Sequence, residues 1–167
     1  FNLDEAYSAL NFKNVKSIQL VFNVLRQQPK KEFLQKAKLN NVAIIARGPL
    51  ASGLLSGAIN FKSRFARSDH RNYNISGKSF DIGDTFSGIP LEISLKAIDR
   101  FKKILPNNFS LIDLAIKWVL MRKEITVTIP GATSPLHVEL NSASSDKKLI
   151  NYLMEDIEGI YNEIVLP

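Results

Sequence analysis

The sequence predicts an α/β fold in which helices surround a sheet of parallel strands. Short apolar runs at residues 17–22, 42–46 and 125–129 have the length of strands. Longer stretches whose apolar residues recur with a helical period separate these runs. Because strands and helices alternate along the chain, βαβ units and a parallel sheet are favoured over an antiparallel one.

The first half of the chain predicts two strands, two helices and a long loop. Residues 4–10 indicate the end of a helix, and residues 17–22 the first strand. Pro29 is expected to open a helix that runs to about Leu39, since proline suits the first helical position. The continuous apolar run 42–46 is typical of a strand buried on both faces.

Residues 58–90 show no sustained period and predict a loop whose length is usually functional in a compact domain.

The second half predicts four helices and one strand. A helix is expected at 91–105, and Ser110 with Asp113 forms a capping-box pattern before the next helix. The third strand follows at 125–129, and Ser134-Pro135 indicates the start of a helix ending near Ala143. A final helix is expected from residue 146 onward, with an apolar face formed by Leu149, Leu153, Ile157, Ile160 and Ile164.

Composition limits the class of protein. The chain has 167 residues, of which 45% are hydrophobic and 23% charged, which suits one ordinary domain spanning residues 1–167. It has no cysteine, so disulfides, thiolate metal sites and a cysteine nucleophile are excluded, and a cytoplasmic location is expected. No apolar run has the length of a membrane span, and no leader with a charged and then an apolar part opens the sequence. A first residue other than methionine indicates a fragment or a processed product.

The net charge of +6 raises the question of nucleic-acid binding. Lysine and arginine are nevertheless dispersed over helix faces and alternate with acids, which is typical of a solvated surface. We therefore expect no nucleic-acid partner, and a basic nucleic-acid-binding domain is kept only as a remote alternative.

Two turns that follow apolar strands contain the residues that best indicate a ligand-binding site. Residues 47–57 leave the second strand through Arg-Gly-Pro and two more glycines, and residues 129–134 leave the third strand through Pro-Gly-Ala-Thr-Ser. Glycine permits close approach of an anion to the backbone, and a helix N-terminus offers free N–H groups. Each turn alone is more typical of an ordinary connection, but two at one sheet edge favour a phosphate-bearing ligand.

Five short stretches follow one another at characteristic spacing: IQLVFN at 18–23, ARGPLASGLLSG at 46–57, DHR at 69–71, AIKWVL at 115–120, and IPGA at 129–132 continuing to Asn141. Together they resemble the C-terminal half of an aldo-keto reductase, from about Ser17 to the end of the chain. The run GDTFSG at 83–88 is similar to a bacterial branch of the family.

This resemblance implies a partial (β/α)8 TIM barrel, roughly its last four βα units, with parallel strands inside surrounding helices. It further implies reduction of a small-molecule carbonyl by hydride from NADPH. The catalytic Asp, Tyr, Lys and His of the family belong to the half that this chain does not match, so no catalytic residue and no metal ligand is expected here. Alone, the chain is expected to be inactive.

The resemblance also assigns cofactor contacts. Gln19, at the end of its strand, corresponds to the residue that binds the nicotinamide carboxamide, and Arg47 stands where the family usually places an aromatic ring against the nicotinamide. The loop that wraps the diphosphate corresponds to Gly48, Pro49, Leu50, Ala51, Ser52 and Gly53. The adenosine end corresponds to Gly131, Ala132, Thr133, Ser134, His137 and Asn141.

Three departures from the family pattern concern the cofactor. Arg47 places a fixed cation beside a ring that is itself cationic when oxidised, so we expect it to disfavour the oxidised form. Thr133 stands where many relatives carry an arginine for the ribose phosphate, and Leu140 where an acid is common. Arg71 is expected to compensate from the loop, and NADH is not excluded.

Two further possibilities follow from the resemblance. The same fold includes cofactor-binding regulatory subunits with little catalytic role, which is the main alternative function. Because a cut barrel exposes strand edges and an apolar interior, self-association of the chain is also expected.

Overall fold

Three parallel strands form one sheet in the computed structural model of the chain, which describes residues 3–30, 32–148 and 151–166. They are β1 (Ser17–Val21), β2 (Ala43–Arg47) and β3 (Val127–Ile129), in that order across the sheet. Gln19 pairs with Ile45, and Ile45 in turn pairs with Val127. The predicted parallel α/β architecture is confirmed.

Helices pack around this sheet. They are α1 (Leu3–Ala9), α2 (Phe33–Leu39), α3 (His70–Tyr73), α4 (Leu91–Ile104), α5 (Leu111–Leu120), α6 (Pro135–Asp146) and α7 (Asn151–Ile160), the last continued by a π-helical turn, Tyr161–Val165. Single 3-10 turns occur at Gln28–Lys30, Ala51–Ser56, Ile82–Asp84 and Phe86–Gly88.

Two predicted helix boundaries are wrong. Pro29 lies in the isolated turn Gln28–Lys30, and α2 begins only at Phe33, because the buried Phe33 and Leu34 fix the start of that helix in the core. The chain also does not begin its final helix at residue 146. There α6 ends, and the extended backbone of Lys147 (ψ 144°) separates it from α7. The predicted core residue Leu149 lies outside the described residues.

The loop predicted at 58–90 is irregular, as expected, although it contains α3 and two of the 3-10 turns. It is held at its centre by Asn74, which is fully buried and whose side-chain oxygen accepts hydrogen bonds from the backbone N–H groups of Ser79 and Phe80. The loop is therefore a folded segment with its own polar core.

The two faces of the sheet differ. Leu20, Ile44 and Ala46 point to the helices and are completely buried. On the other face Val127 and Ile129 are 41% and 44% exposed. The prediction that the second strand is buried on both faces is wrong, because Ala43, Ile45 and Arg47, which lie on this second face, are only half-buried.

The main core lies between the sheet and the helices. Trp118 of α5 packs on Phe22 with their ring centroids 5.1 Å apart, and both residues are completely buried. Phe33 and Phe101 bring α2 and α4 into the same cluster. Burial of such aromatic side chains supplies the dominant favourable term in folding.

The N-terminus of α5 has the predicted capping box. The Ser110 hydroxyl accepts from the Asp113 N–H at 3.1 Å, and the Asp113 carboxylate accepts from the Ser110 N–H at 2.8 Å. The hydroxyl of Ser144, in α6, lies 2.9 Å from the other carboxylate oxygen of Asp113. The carboxylate therefore joins α5 to α6, whose opposite end lies at the candidate site.

Asp113→Ala is expected to lower the free energy of unfolding by about 1–3 kcal/mol, because the N-cap residue Ser110 and the buried Ser144 hydroxyl lose their acceptor. Urea unfolding followed by circular dichroism measures this loss. The exposed Asp99→Ala in α4 is the control and should change stability by less than about 0.5 kcal/mol. Equal losses in both variants would contradict a special role of the cap.

Candidate functional site

The turns after β2 and β3 lie at the same edge of the sheet, because the two strands are parallel neighbours. A cleft of about 520 Å³ separates them, and both turns line it. This volume is typical of small-molecule sites. The geometric requirement of the sequence hypothesis, that both turns face one end of the sheet, is met.

Most of the residues that the resemblance assigned to a cofactor line this cleft. They are Gly48, Pro49, Leu50, Ser52, Gly53, Arg71, Gly131, Ala132, Thr133, His137 and Asn141. The exceptions are Gln19, Arg47, Ala51 and Ser134. Ala51 is only 2% exposed and belongs to the core.

The turn after β2 has an unusual backbone. Ala51 and Ser52 have positive φ angles of 46° and 56°, which are uncommon for residues other than glycine. The Ser52 hydroxyl accepts from the Phe86 N–H at 3.1 Å and donates to the Asp84 carbonyl at 3.1 Å. The long loop therefore holds this turn in its strained conformation.

Asn23, just beyond β1, fixes the start of the same turn. Its completely buried side-chain amide donates to the Gly48 carbonyl at 2.9 Å and lies 2.8 Å from the Ser87 hydroxyl. Its side-chain oxygen accepts from the N–H groups of Leu25 and Arg26. One buried amide thus connects the end of β1, the turn after β2 and the long loop.

Arg71 enters the cleft from the loop, but its charge is already paired. Its guanidinium donates to both carboxylate oxygens of Asp69, at 3.0 and 2.6 Å, and lies 4.3 Å from the centre of the Phe65 ring. Hydrogen bonds from Arg71 lower the pKa of Asp69 from 3.8 to about 2. The expectation that Arg71 supplies a compensating charge for a ribose phosphate is therefore weakened.

The Asp69–Arg71 pair predicts a pH dependence. Because the pKa of Asp69 is lower in the folded state, its contribution is present above about pH 4 and is lost as the pH falls toward 2. Relative to Asp69→Asn, the wild-type chain should therefore be more stable at pH 5 by up to about 1 kcal/mol, and most of this advantage should be lost at pH 2. Urea unfolding across this range measures the difference, with the exposed Asp156→Asn as control. An advantage that does not change with pH would contradict the assignment.

The turn after β3 leads directly into α6. Ser134 is the predicted N-cap, and its hydroxyl accepts from the His137 N–H at 3.3 Å. The Asn141 amide donates to the Gly131 carbonyl at 3.2 Å, which holds the turn against the helix. A Cβ atom placed on Gly131 would meet nothing within 4 Å, so this glycine faces open space in the cleft wall.

Gln19 and Arg47 lie on the open face of the sheet, beside the cleft. Gln19 is in the middle of β1 and exposed, and not at the strand end as the sequence hypothesis had it. Arg47 is the last residue of β2, and its guanidinium lies 2.6 Å from the Asp84 carboxylate. Both side chains are on the face toward which a barrel interior would lie.

Several cleft residues were not anticipated from the sequence. They are Ser56, His70, Asp84 and Ile112, whereas Leu140, which also lines the cleft, was already named as a departure from the family pattern. His70 and Asp84 come from the loop without a period, whose path over the cleft no local pattern predicts. Asp84 is the charged partner of Arg47. The only sequence signal for such a partner is that the DHR and GDTFSG stretches each contain an aspartate.

Two features of other functional classes are absent from the described ranges. No group of three or more His, Asp or Glu side chains there is arranged to hold a metal ion. Within the same ranges, no helix has both the length and the apolar character needed to cross a membrane.

Comparison with known proteins gives a consistent result. The family model described as "Aldo/keto reductase family" matches residues 1–162. Aldo-keto reductase YhdN of Bacillus subtilis is 26% identical over 149 residues, which cover 84% of this chain and 42% of that protein.

Solved structures show the same fold. The aldo-keto reductase AKR11C1 of Bacillus halodurans, in its holo form, superposes with a TM-score of 0.69 at 18% identity, covering 94% of this chain and 46% of that one. The glycerol dehydrogenase AKR11B4 of Gluconobacter oxydans gives 0.72 at 24% identity, covering 90% and 43%. The chain therefore spans less than half the length of these relatives and corresponds to part of a (β/α)8 barrel.

Proposed function

Because the chain belongs to the aldo/keto reductase family, we propose that it is the cofactor-binding side of an NADPH-dependent carbonyl reductase. The observation that supports this most directly is the cleft of about 520 Å³ between the turns after β2 and β3. Both turns present backbone groups and small side chains there, as a dinucleotide with its phosphates requires.

The residues of the cleft fit such a cofactor in a definite orientation. The turn 48–53 would hold the diphosphate, since its glycines allow close approach to the backbone. Gly131, Thr133 and Asn141 would hold the adenosine end beside the N-terminus of α6. Gln19 would bind the carboxamide on the open sheet face, next to the substrate. When bound, the cofactor supplies the hydride of the reduction.

The proton donor of the reaction is expected to come from the part of the barrel that this chain does not span. The relatives extend over more than twice the matched length. A tyrosine of the family pattern would protonate the carbonyl oxygen from that side, above the exposed face that carries Val127 and Ile129. We expect the chain alone to bind cofactor without reducing carbonyls, and we propose a cytoplasmic location.

A fluorescence titration tests the proposed function. Addition of the chain to NADPH should enhance or shift the nicotinamide emission with a saturable profile, and a parallel titration with NADH decides which cofactor is preferred. A chain that has native circular dichroism but saturates with neither cofactor would contradict the proposal. Salt-sensitive retention on DNA instead would favour the nucleic-acid alternative.

Self-association through the open sheet is a second proposal. Two copies would bring together six of the described strands, fewer than the eight of the closed barrel, but would cover the apolar face of each copy. Sedimentation velocity should show a dimer whose population rises with concentration. Val127→Lys, on the exposed face, should shift the population to monomer, whereas a monomer at all concentrations would contradict self-association.

A further inference from the structure

The end of β2 and the long loop are joined by a charge pair that the sequence did not reveal. Nη2 of Arg47 lies 2.6 Å from Oδ1 of Asp84, and their side chains are 31% and 24% exposed. Oδ1 is buried and accepts no well-aligned hydrogen bond from the described residues, so the contact is primarily electrostatic. Partial burial strengthens such a contact relative to a surface ion pair.

The backbone around Asp84 fixes the position of this carboxylate. The Asp84 carbonyl accepts from the Ser52 hydroxyl at 3.1 Å, and its N–H donates to the Asp81 carbonyl at 3.0 Å. Phe86, two residues on, donates its N–H to the same Ser52 hydroxyl. The backbone that carries this carboxylate is therefore held against the turn that lines the cleft.

Asp84 separates Arg47 from the cleft. Asp84 lines the large cleft and also a small cavity of about 30 Å³ that it shares with Arg47. The cation at the end of β2 is consequently compensated on the side from which a ligand would approach. The sequence expectation that Arg47 disfavours an oxidised nicotinamide took no account of this partner.

We propose that Asp84 is a specificity-determining residue that sets the relative affinity of the site for the oxidised and reduced cofactor. The proposal rests on the proposed function, with the nicotinamide beside Arg47. The two cofactor forms carry the same phosphates and differ in the positive charge of the oxidised ring. The Asp84 carboxylate cancels the Arg47 charge, so that the oxidised ring meets a nearly neutral pair.

Variants that remove one charge of the Arg47–Asp84 pair should shift the ratio of NADP⁺ affinity to NADPH affinity in opposite directions. Asp84→Asn leaves Arg47 uncompensated and should weaken NADP⁺ binding about fivefold relative to NADPH, the effect of one unit charge at about 4 Å in a water-like medium. Arg47→Gln leaves Asp84 uncompensated and should shift the same affinity ratio about fivefold in the other direction. The double variant should return close to the wild-type ratio.

The measurement is the ratio of two dissociation constants for each variant. NADPH binding is followed by fluorescence, and NADP⁺ binding by its competition with NADPH. Asp81→Asn is the matched control, because it removes the same charge from the same loop at a residue that lies 3.8 Å from Arg26. It should leave the ratio unchanged. Thermal unfolding of every variant verifies the fold. Asp84→Glu keeps the negative charge and should retain most of the wild-type ratio of the two dissociation constants.

The outcomes separate this proposal from the proposed function. If the wild-type chain binds neither form, the proposed function fails and this inference fails with it. If both forms bind and Asp84→Asn weakens them equally, the proposed function stands and Asp84 has only a structural role. If Asp84→Asn does not fold, Arg47→Gln alone decides, since an unchanged ratio there overturns the proposal.

Discussion

Replacing Gly131 by leucine is expected to weaken NADPH binding at least tenfold while leaving the melting temperature unchanged. Gly131 lines the cleft, and a Cβ atom at this position would meet nothing within 4 Å. Its backbone does not adopt the left-handed region, so the new side chain adds no strain. The leucine would fill space that the cofactor needs, which costs well over 1.4 kcal/mol of binding.

Gly159→Leu provides a matched control for this result. Gly159 lies in α7, away from the cleft lining, and a Cβ atom there also meets nothing within 4 Å. The variant should bind NADPH as the wild type does and should gain about 0.5–1 kcal/mol of stability, because glycine is a poor helix former. Unchanged binding in Gly131→Leu would place the cofactor elsewhere.

Asn23→Ala is expected to destabilise the chain by about 2–4 kcal/mol and to weaken cofactor binding as well. The side chain is completely buried and makes hydrogen bonds with Gly48, Leu25, Arg26 and Ser87. Its removal leaves several buried polar groups without partners, and each such group costs about 1–3 kcal/mol. It also frees the turn at Gly48 that lines the cleft.

Urea unfolding and an NADPH titration of the same samples measure both effects. Asn40→Ala is the control, because Asn40 makes one exposed side-chain hydrogen bond, to the Lys36 carbonyl. Its loss should change stability by less than about 0.5 kcal/mol and should not change binding. A small loss of stability in Asn23→Ala would mean that water replaces the missing amide.

The parts of the fold that local chemistry determines were predictable from the sequence. The capping box of Ser110 and Asp113 and the N-cap at Ser134 are present because each needs only residues within one turn of its helix. The failures at Pro29 and Lys147 arose where core packing or a backbone break, rather than helix-start signals, fixes the boundary.

The candidate site was predictable to the same extent. The two glycine-containing turns follow strands and could be recognised one at a time, and the parallel order of the sheet brings them together. Contacts across many residues could not be foreseen. Asp84 reaches Arg47 across 37 positions of sequence, and Asp69 occupies the guanidinium of Arg71.

The strained turns beside the cleft bear on how this scaffold can be engineered. Ala51 and Ser52 adopt left-handed backbone conformations, and so do Phe86 and Ser87, which lie against them through the Ser52 hydroxyl. A graft of the 58–90 loop from another member of the family would have to import both pairs together. Exchange of either pair alone would separate two left-handed backbone segments that the hydrogen bond from the Phe86 N–H to the Ser52 hydroxyl joins.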